Sequence, residues 1–124
     1  MTKTKKKPSR KYLKRKYDKL WRELISKRAG GMCEVCGKPG NQPHHIIGRS
    51  NHALRWDVRN GVWMCAGCHT MNNNSAHVDH VGFMLWLKEH RLADYGYLLE
   101  RRNDIWDKDY DKVLEYLKGV RRWR

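Results

Sequence analysis

The spacing of apolar residues predicts that most of this chain is helical. In four stretches, apolar side chains recur at steps of three and four residues, the spacing that places them on one face of a helix. These stretches are residues 10–28, about 79–90, about 95–102 and 109–119. The first is expected to end at Ala29-Gly30-Gly31, because glycine accepts the left-handed conformation that closes a helix.

A small β-structure is predicted between the first two of these helices. Residues 44–47 and 62–64 are short strand-forming runs, and Arg59-Asn60-Gly61 is a turn signal in front of the second run. A further helix is expected to begin at His69. The sequence therefore predicts an α+β fold, with a ββα core wrapped by N- and C-terminal helices.

The length of 124 residues is typical of one domain. We expect a disordered basic tail at residues 1–9, followed by a single domain over residues 10–124. Within it, residues 10–31 form a basic helix, residues 32–75 the core and residues 76–124 a helical C-terminal part. Because so small a chain builds only a modest apolar core, an additional stabilising element is expected.

The charge of the chain changes this picture by suggesting a partner. The formal net charge is +14, and the commonest polyanion available to such a protein is nucleic acid. The basic residues are concentrated in the first 22 positions, where Asp18 is the one carboxylate. A solubilising charged tail is the alternative. We favour binding of the nucleic-acid backbone, which by itself carries no sequence specificity.

The four cysteines are the strongest chemical signal. They form two CxxC pairs, Cys33 with Cys36 and Cys65 with Cys68, separated by the 28 residues from 37 to 64. No signal peptide and no membrane-spanning run is recognisable, so a cytoplasmic location is expected, where thiols stay reduced. Four thiolates satisfy a tetrahedral zinc ion and leave no open position. We therefore predict a structural zinc site, with disulfides or free thiols as the alternative.

Histidines and asparagines between and after these pairs carry a resemblance. His44-His45 is followed by Asn60 after fifteen residues, by His69 after nine more and by Asn73 four residues later. This spacing resembles the motif of HNH (ββα-metal) endonucleases, which have a treble-clef-like core. The flanking CxxC pairs resemble the zinc-binding, four-cysteine branch of that superfamily, found in phage and mobile-element enzymes.

The resemblance implies roles for these residues. His44, His69 and Asn73 would hold one catalytic divalent ion, with His77 as a substitute for Asn73. His45 would act as the general base, and Asn60 would hold its loop and orient it. An amide oxygen at Asn73 is a hard ligand, so magnesium or manganese is expected.

The resemblance also implies the reaction. It is hydrolysis of DNA phosphodiester bonds by one metal ion, leaving 5′-phosphate and 3′-hydroxyl ends. The DNA is expected to be double-stranded or branched, and the protein a monomer or homodimer. A non-catalytic zinc-knuckle module that binds nucleic acid is the alternative. The residues expected to contact nucleic acid are Lys11, Lys14, Arg15, Arg49, Arg55 and Arg59.

Overall fold

The computed structural model describes residues 7–122. Most of the basic tail predicted at residues 1–9 therefore lies outside the described residues. Four α-helices and two β-strands are present, in the order α1 Arg10–Arg28, β1 Gln42–His45, β2 Gly61–Met64, α2 His80–His90, α3 Leu92–Arg101 and α4 Tyr110–Arg122. The predicted combination of helices with a small two-stranded sheet is confirmed. None of the helices within residues 7–122 is both long and apolar enough to cross a membrane.

Helix α1 has the predicted bounds, because the signals that set them are local. The side chain of Ser9 caps its N-terminus by accepting a hydrogen bond from the amide of Tyr12, and Ala29 follows its last residue. The buried face consists of Tyr17, Trp21, Leu24 and Ile25. The cationic side chains between them stay on the outer faces. The helix thus docks on the rest of the protein and still presents positive charge.

The two strands form an antiparallel hairpin in which His44 lies opposite Val62 and His45 lies opposite Gly61. β1 begins two residues before the predicted start at His44 and ends at His45. Asn60 binds the two residues that follow. Its carbonyl accepts from the amide of Ile46, and its side-chain oxygen accepts from the amide of Ile47. The Ile46 bond still follows the register of the hairpin, and the Ile47 bond ties the chain beyond it to the side chain of Asn60.

The helix expected to begin at His69 is only a short π-helical segment, Gly67–Met71. Asn72 is already extended, with φ −79° and ψ 154°. Asparagine competes with helical hydrogen bonds through its own side chain, and three of them stand in a row here, at Asn72-Asn73-Asn74. The next helix, α2, starts at His80 after Asp79, whose side chain accepts from the amide of Gly82. The prediction of a continuous helix after His69 is therefore wrong.

The hairpin lies between two clusters of buried apolar residues. On one side, Val62 and Met64 of β2 pack with residues of α2 and α3, including Phe83, Leu87 and Leu98. On the other side, Trp63 packs with α1 and α4. Successive strand residues point to opposite faces, so β2 is buried on both faces. The functional residues of β1 are thereby held on a strand paired with the most enclosed segment of the protein.

Candidate active site and zinc site

The four cysteines converge at one end of the hairpin. All four Sγ atoms lie within 4.8 Å of one another, and the Sγ atoms of Cys36 and Cys65 are 3.7 Å apart. Two thiolates bound to one tetrahedral zinc ion are about 3.8 Å apart, given zinc–sulfur bonds of about 2.3 Å. The cluster is therefore suited to hold a structural zinc ion. Gly37, with φ 77°, provides the left-handed turn after the first pair.

The electrostatics of this cluster also favour a cation. Burial raises the pKa of Cys33, but hydrogen bonds from the backbone amides around it together lower the pKa by more, so that it falls to about 7. Burial and the neighbouring sulfur atoms raise the pKa of Cys68. Four thiols this close cannot all ionise without a compensating positive charge. A bound zinc ion supplies that charge and leaves no position open for substrate.

A second group of potential ligands lies beside the first. The imidazoles of His44, His69 and His77 each offer a nitrogen, and these nitrogens lie within 4.8 Å of one another. His44 is 5% exposed, and neither of its ring nitrogens has a hydrogen-bond partner among the described residues. Burial, followed by the neighbouring histidines, lowers its pKa to about 3. A buried neutral imidazole with no partner is suited to bind a metal ion.

His69 is oriented for the same task. Its Nδ1 lies 2.7 Å from Oε1 of Gln42. Since an amide oxygen only accepts, Nδ1 donates, and Nε2 keeps its lone pair. Metal-binding histidines commonly donate their second ring N–H to a carbonyl in this way. Gln42 and His44 are two residues apart on β1 and therefore share the face that meets His69.

His77 completes this group. Its Nε2 is 2.9 Å from Nε2 of His69. Two nitrogens bound at right angles to one ion, at about 2.1 Å each, are about 3.0 Å apart. The pair is therefore spaced as two ligands of one cation would be. The backbone supports this placement, because the amide of His77 donates to the carbonyl of His69.

Asn73 does not lie in a helix that begins at His69, as the sequence had suggested. The helical segment ends at Met71, two residues before Asn73, and Asn73 is exposed. The chain instead turns back through residues 72–79 and brings His77 to His69. His77, the substitute considered from the sequence, therefore lies beside His44 and His69.

His45, the predicted general base, lies at the end of β1 with its ring held on two sides. Its Nε2 is 2.9 Å from the carbonyl oxygen of Arg55, which only accepts, so Nε2 carries the proton and Nδ1 the lone pair. The ring is stacked on the indole of Trp21, with centroids 4.0 Å apart and planes 7° apart. Burial is the main reason that its pKa is lowered to about 4. The ring is therefore neutral at pH 7 and able to accept a proton.

Asn60 holds the loop that supports His45. It is fully buried, at 0% exposure. Its Nδ2 donates to the carbonyls of Ile47 and Leu54, at 2.9 and 3.0 Å, and its Oδ1 accepts from the amide of Ile47 at 2.7 Å. These bonds join both ends of the loop that runs from β1 to Arg55. The position of the Arg55 carbonyl, and so of His45, depends on them.

Comparison with known proteins agrees with this geometry. Residues 33–75 match the HNH endonuclease family model. The match covers about a third of the chain and contains both CxxC pairs, His44, His45, Asn60 and His69. Searches of curated proteins and of solved structures gave no match. The resemblance to HNH endonucleases with a four-cysteine, zinc-type cluster is thus confirmed for this segment, and the match supports a nuclease.

Several residues of the site lie outside the HNH segment. His44, His45, His69 and His77 line a cleft of about 590 Å³, and one wall of it is α1, with Asp18, Lys19, Trp21 and Arg22. Asp18 accepts two hydrogen bonds from the guanidinium of Arg55, at 3.0 and 2.8 Å, and a third from Trp56. Sequence reasoning missed Asp18 and Trp21 as site residues. The available signal was that Asp18 is the one carboxylate in a basic stretch.

The predicted nucleic-acid contacts fall in different places. Arg49 lines the same cleft as His44 and His45. The guanidinium of Arg55 is occupied by Asp18, and that of Arg59 lies over the ring of Tyr97, 4.4 Å from its centroid, in a separate cavity. Lys11 and Arg15 are exposed on α1, and Lys14 is half-buried there. The geometry thus leaves Arg49 at the cleft and assigns Arg55 to internal support.

Proposed function

We propose that this protein is a metal-dependent endonuclease that hydrolyses phosphodiester bonds of DNA. One observation carries the proposal: His45, with its unprotonated Nδ1, lines the same cleft as the three imidazoles of His44, His69 and His77. A module that only binds nucleic acid has no need for a fixed neutral imidazole beside a metal-binding group. The match of residues 33–75 to HNH endonucleases supports the same conclusion.

His45 acts as the general base. Its Nδ1 accepts a proton from a water molecule, and the water oxygen forms a bond to phosphorus while the bond from phosphorus to the 3′ oxygen breaks. The 3′ oxygen leaves with a proton taken from solvent, which gives 3′-hydroxyl and 5′-phosphate ends. The carbonyl of Arg55 fixes the required tautomer, because it accepts the proton on Nε2.

The ligands for the catalytic ion are His44, His69 and His77. A divalent cation held there stabilises the negative charge that develops on the phosphate and on the leaving oxygen. Three neutral imidazoles form a softer ligand set than the two imidazoles and one amide expected from the sequence. Imidazole suits transition metals better than magnesium. We therefore expect manganese to support activity better than magnesium.

Lys19 and Arg49 are the best placed residues to bind the phosphates that flank the cleavage site. Both line the cleft, and neither takes part in an ion pair within residues 7–122. Arg22 also lines the cleft, but it donates a hydrogen bond to the carbonyl of Asn41. Arg49 is thus retained from the sequence prediction, whereas Lys19 replaces Arg55 and Arg59.

The deciding experiment is a plasmid-nicking assay with magnesium or manganese. It compares the wild-type protein with His45→Ala and with a control, His90→Ala, which changes a histidine that bonds within α2. We expect nicking by the wild type and by the control, and loss of at least about a hundredfold for His45→Ala. DNA binding without cleavage under every divalent metal would instead establish the non-catalytic zinc-knuckle module.

A further inference from the structure

A second cavity lies beside the N-terminal half of α1. It measures about 700 Å³ and runs between this part of α1 and the chain at the start of α4, and we call it the α1–α4 groove. Five cationic side chains line it, Lys7, Arg10, Lys14, Lys16 and Lys108. None of them is part of the cleft that contains His45. The groove is therefore a separate site.

The charge of this groove is not neutralised from within. None of its five cations takes part in an ion pair among residues 7–122, and Asp111 is the one carboxylate residue in the described lining. By contrast, Arg28, Arg55 and Arg91 in the interior are each paired with a carboxylate. An unneutralised concave surface of this kind attracts a polyanion.

Aromatic side chains also line the α1–α4 groove, including Trp106 and Tyr110. The half-buried ring of Trp106 is stacked with His52, with centroids 5.5 Å apart and planes 19° apart, and it meets the ring of Tyr110 edge to face at 4.9 Å. Grooves that combine cations with aromatic side chains are typical of proteins that bind single-stranded nucleic acid. Unpaired bases expose flat apolar faces, whereas a duplex presents mainly its backbone.

The groove lies at a suitable distance from the cleft. Trp21 contacts His45, and Lys14 and Arg10 precede it on the same helix by seven and eleven residues. At about 1.5 Å per residue, these positions are about 10 and 16 Å from Trp21 along the helix axis. One DNA strand advances about 3.4 Å per nucleotide in a duplex. Lys14 and Arg10 are therefore about three and five nucleotides from Trp21 along the helix axis.

We propose that the α1–α4 groove binds an unpaired flank of the DNA strand that is cut in the cleft. The protein is then selective for DNA with a single-stranded segment next to the cleavage site, as at a branch or an overhang. The cations contact the phosphates, and the aromatic side chains of the lining contact bases and sugars. This inference rests on the proposed endonuclease function for the identity of the strand.

Binding measurements test this inference without depending on cleavage. The full chain carrying His45→Ala is titrated against a plain DNA duplex and against duplexes with a six-nucleotide single-stranded flank on either end. The test variant adds Lys14→Glu and Lys108→Glu. The control adds Lys38→Glu and Lys118→Glu, two exposed lysines outside both cavities with the same change in net charge. Circular dichroism checks that each variant is folded.

We expect the test variant to bind one of the flanked substrates at least about tenfold more weakly. The magnitude of the slope of log K against log salt concentration should fall by about 1.4 for that substrate, because two phosphate contacts are lost and each contributes about 0.7. Binding of the plain duplex should fall only as much as it does with the control. Equal losses for flanked and plain DNA, or for test and control variants, would overturn the inference.

The two proposals fail in different ways. If the wild-type protein nicks plasmid DNA but single-stranded flanks add no affinity, the groove inference is lost and the nuclease function stands. If flanked DNA binds through the groove but no metal supports cleavage, the unpaired strand is bound by a non-catalytic module. A neutral variant, Lys14→Gln with Lys108→Gln, should show about half of the loss. It guards against an effect caused only by new negative charge.

Discussion

The indole of Trp21 lies flat against the imidazole of His45, with ring centroids 4.0 Å apart and planes 7° apart. This contact makes α1 a wall of the candidate active site as well as a basic surface. It is possible only because Gly61, opposite His45 on β2, has no side chain. A Cβ at that position would lie 2.0 Å from Ile25 and 2.6 Å from Trp21.

Replacing Trp21 with phenylalanine should reduce the rate of cleavage strongly and the free energy of unfolding only modestly. The smaller ring holds His45 less firmly and loses the hydrogen bond from Nε1 to the carbonyl of Asp57, at 2.8 Å. We expect kcat to fall by about tenfold or more, because small displacements of a catalytic group are costly. The loss of stability should be about 1–2 kcal/mol. Steady-state kinetics and thermal unfolding measure both quantities.

The matched control for this variant is Trp63→Phe. Trp63 is buried in the same apolar cluster, whereas the ring stacked on His45 is that of Trp21. We expect it to cost some stability and to leave kcat within about twofold once the protein is folded. Equal kcat losses in the two variants would show that the stack with His45 has no particular role.

Asp18→Asn should slow cleavage without weakening substrate binding. The carboxylate of Asp18 holds the guanidinium of Arg55. The backbone carbonyl of Arg55 accepts the hydrogen bond from His45. Without the negative charge of Asp18, Arg55 is held less firmly, so kcat should fall several-fold while KM changes little. Asp94→Asn is the control, since Asp94 forms an ion pair of the same length with Arg91, and neither residue lines the cleft. Both changes should lower the free energy of unfolding by about 1 kcal/mol. The diagnostic result is a fall in kcat for Asp18→Asn alone. Asp18→Glu should restore part of the rate.

The sequence predicted what depends on local signals. The bounds of α1 follow from a helical stripe, a serine cap and a glycine pair within the same segment. The spacing of the cysteines predicted one cluster, because two CxxC turns offer few other chemical outcomes. The roles of His44 and His45 came from the resemblance to the HNH motif, and both residues line one cleft.

Long-range contacts set what the sequence did not predict. Just beyond β1, the amides of Ile46 and Ile47 donate to the carbonyl and the side-chain oxygen of Asn60, which stands more than a dozen residues later. The roles of Asp18 and Arg55 emerge only when α1 packs on the loop. The failure of the helix after His69 is different, because a local signal was present in Asn72-Asn73-Asn74. The turn-forming residues prevailed over the predicted helix.

His77→Ala and Asn73→Ala test which residue completes the group around His44 and His69. His77 contacts His69 at 2.9 Å, whereas Asn73 is exposed in the turn that follows Met71. We expect His77→Ala to raise the manganese concentration for half-maximal cleavage by at least about tenfold, because a direct ligand is lost. Asn73→Ala should leave it within about twofold. Isothermal titration with manganese gives the affinities directly, and the reverse order of effects would restore Asn73 as the ligand.

Cys68→Ser and His69→Ala should separate the two groups of ligands, although the residues are neighbours. Cys68 belongs to the cysteine cluster, which brings the two CxxC turns together, with Sγ of Cys36 3.7 Å from Sγ of Cys65. Its loss should release zinc and lower the melting temperature by at least about 10 °C, because structural zinc contributes directly to folding. His69→Ala should keep zinc and melt within a few degrees of the wild type, yet fail to cut DNA. Zinc content, thermal unfolding and nicking are measured on the same samples. A Cys68→Ser protein that melts like the wild type would exclude a structural role for zinc, and a His69→Ala protein that nicks normally would exclude His69 as a ligand of the catalytic ion.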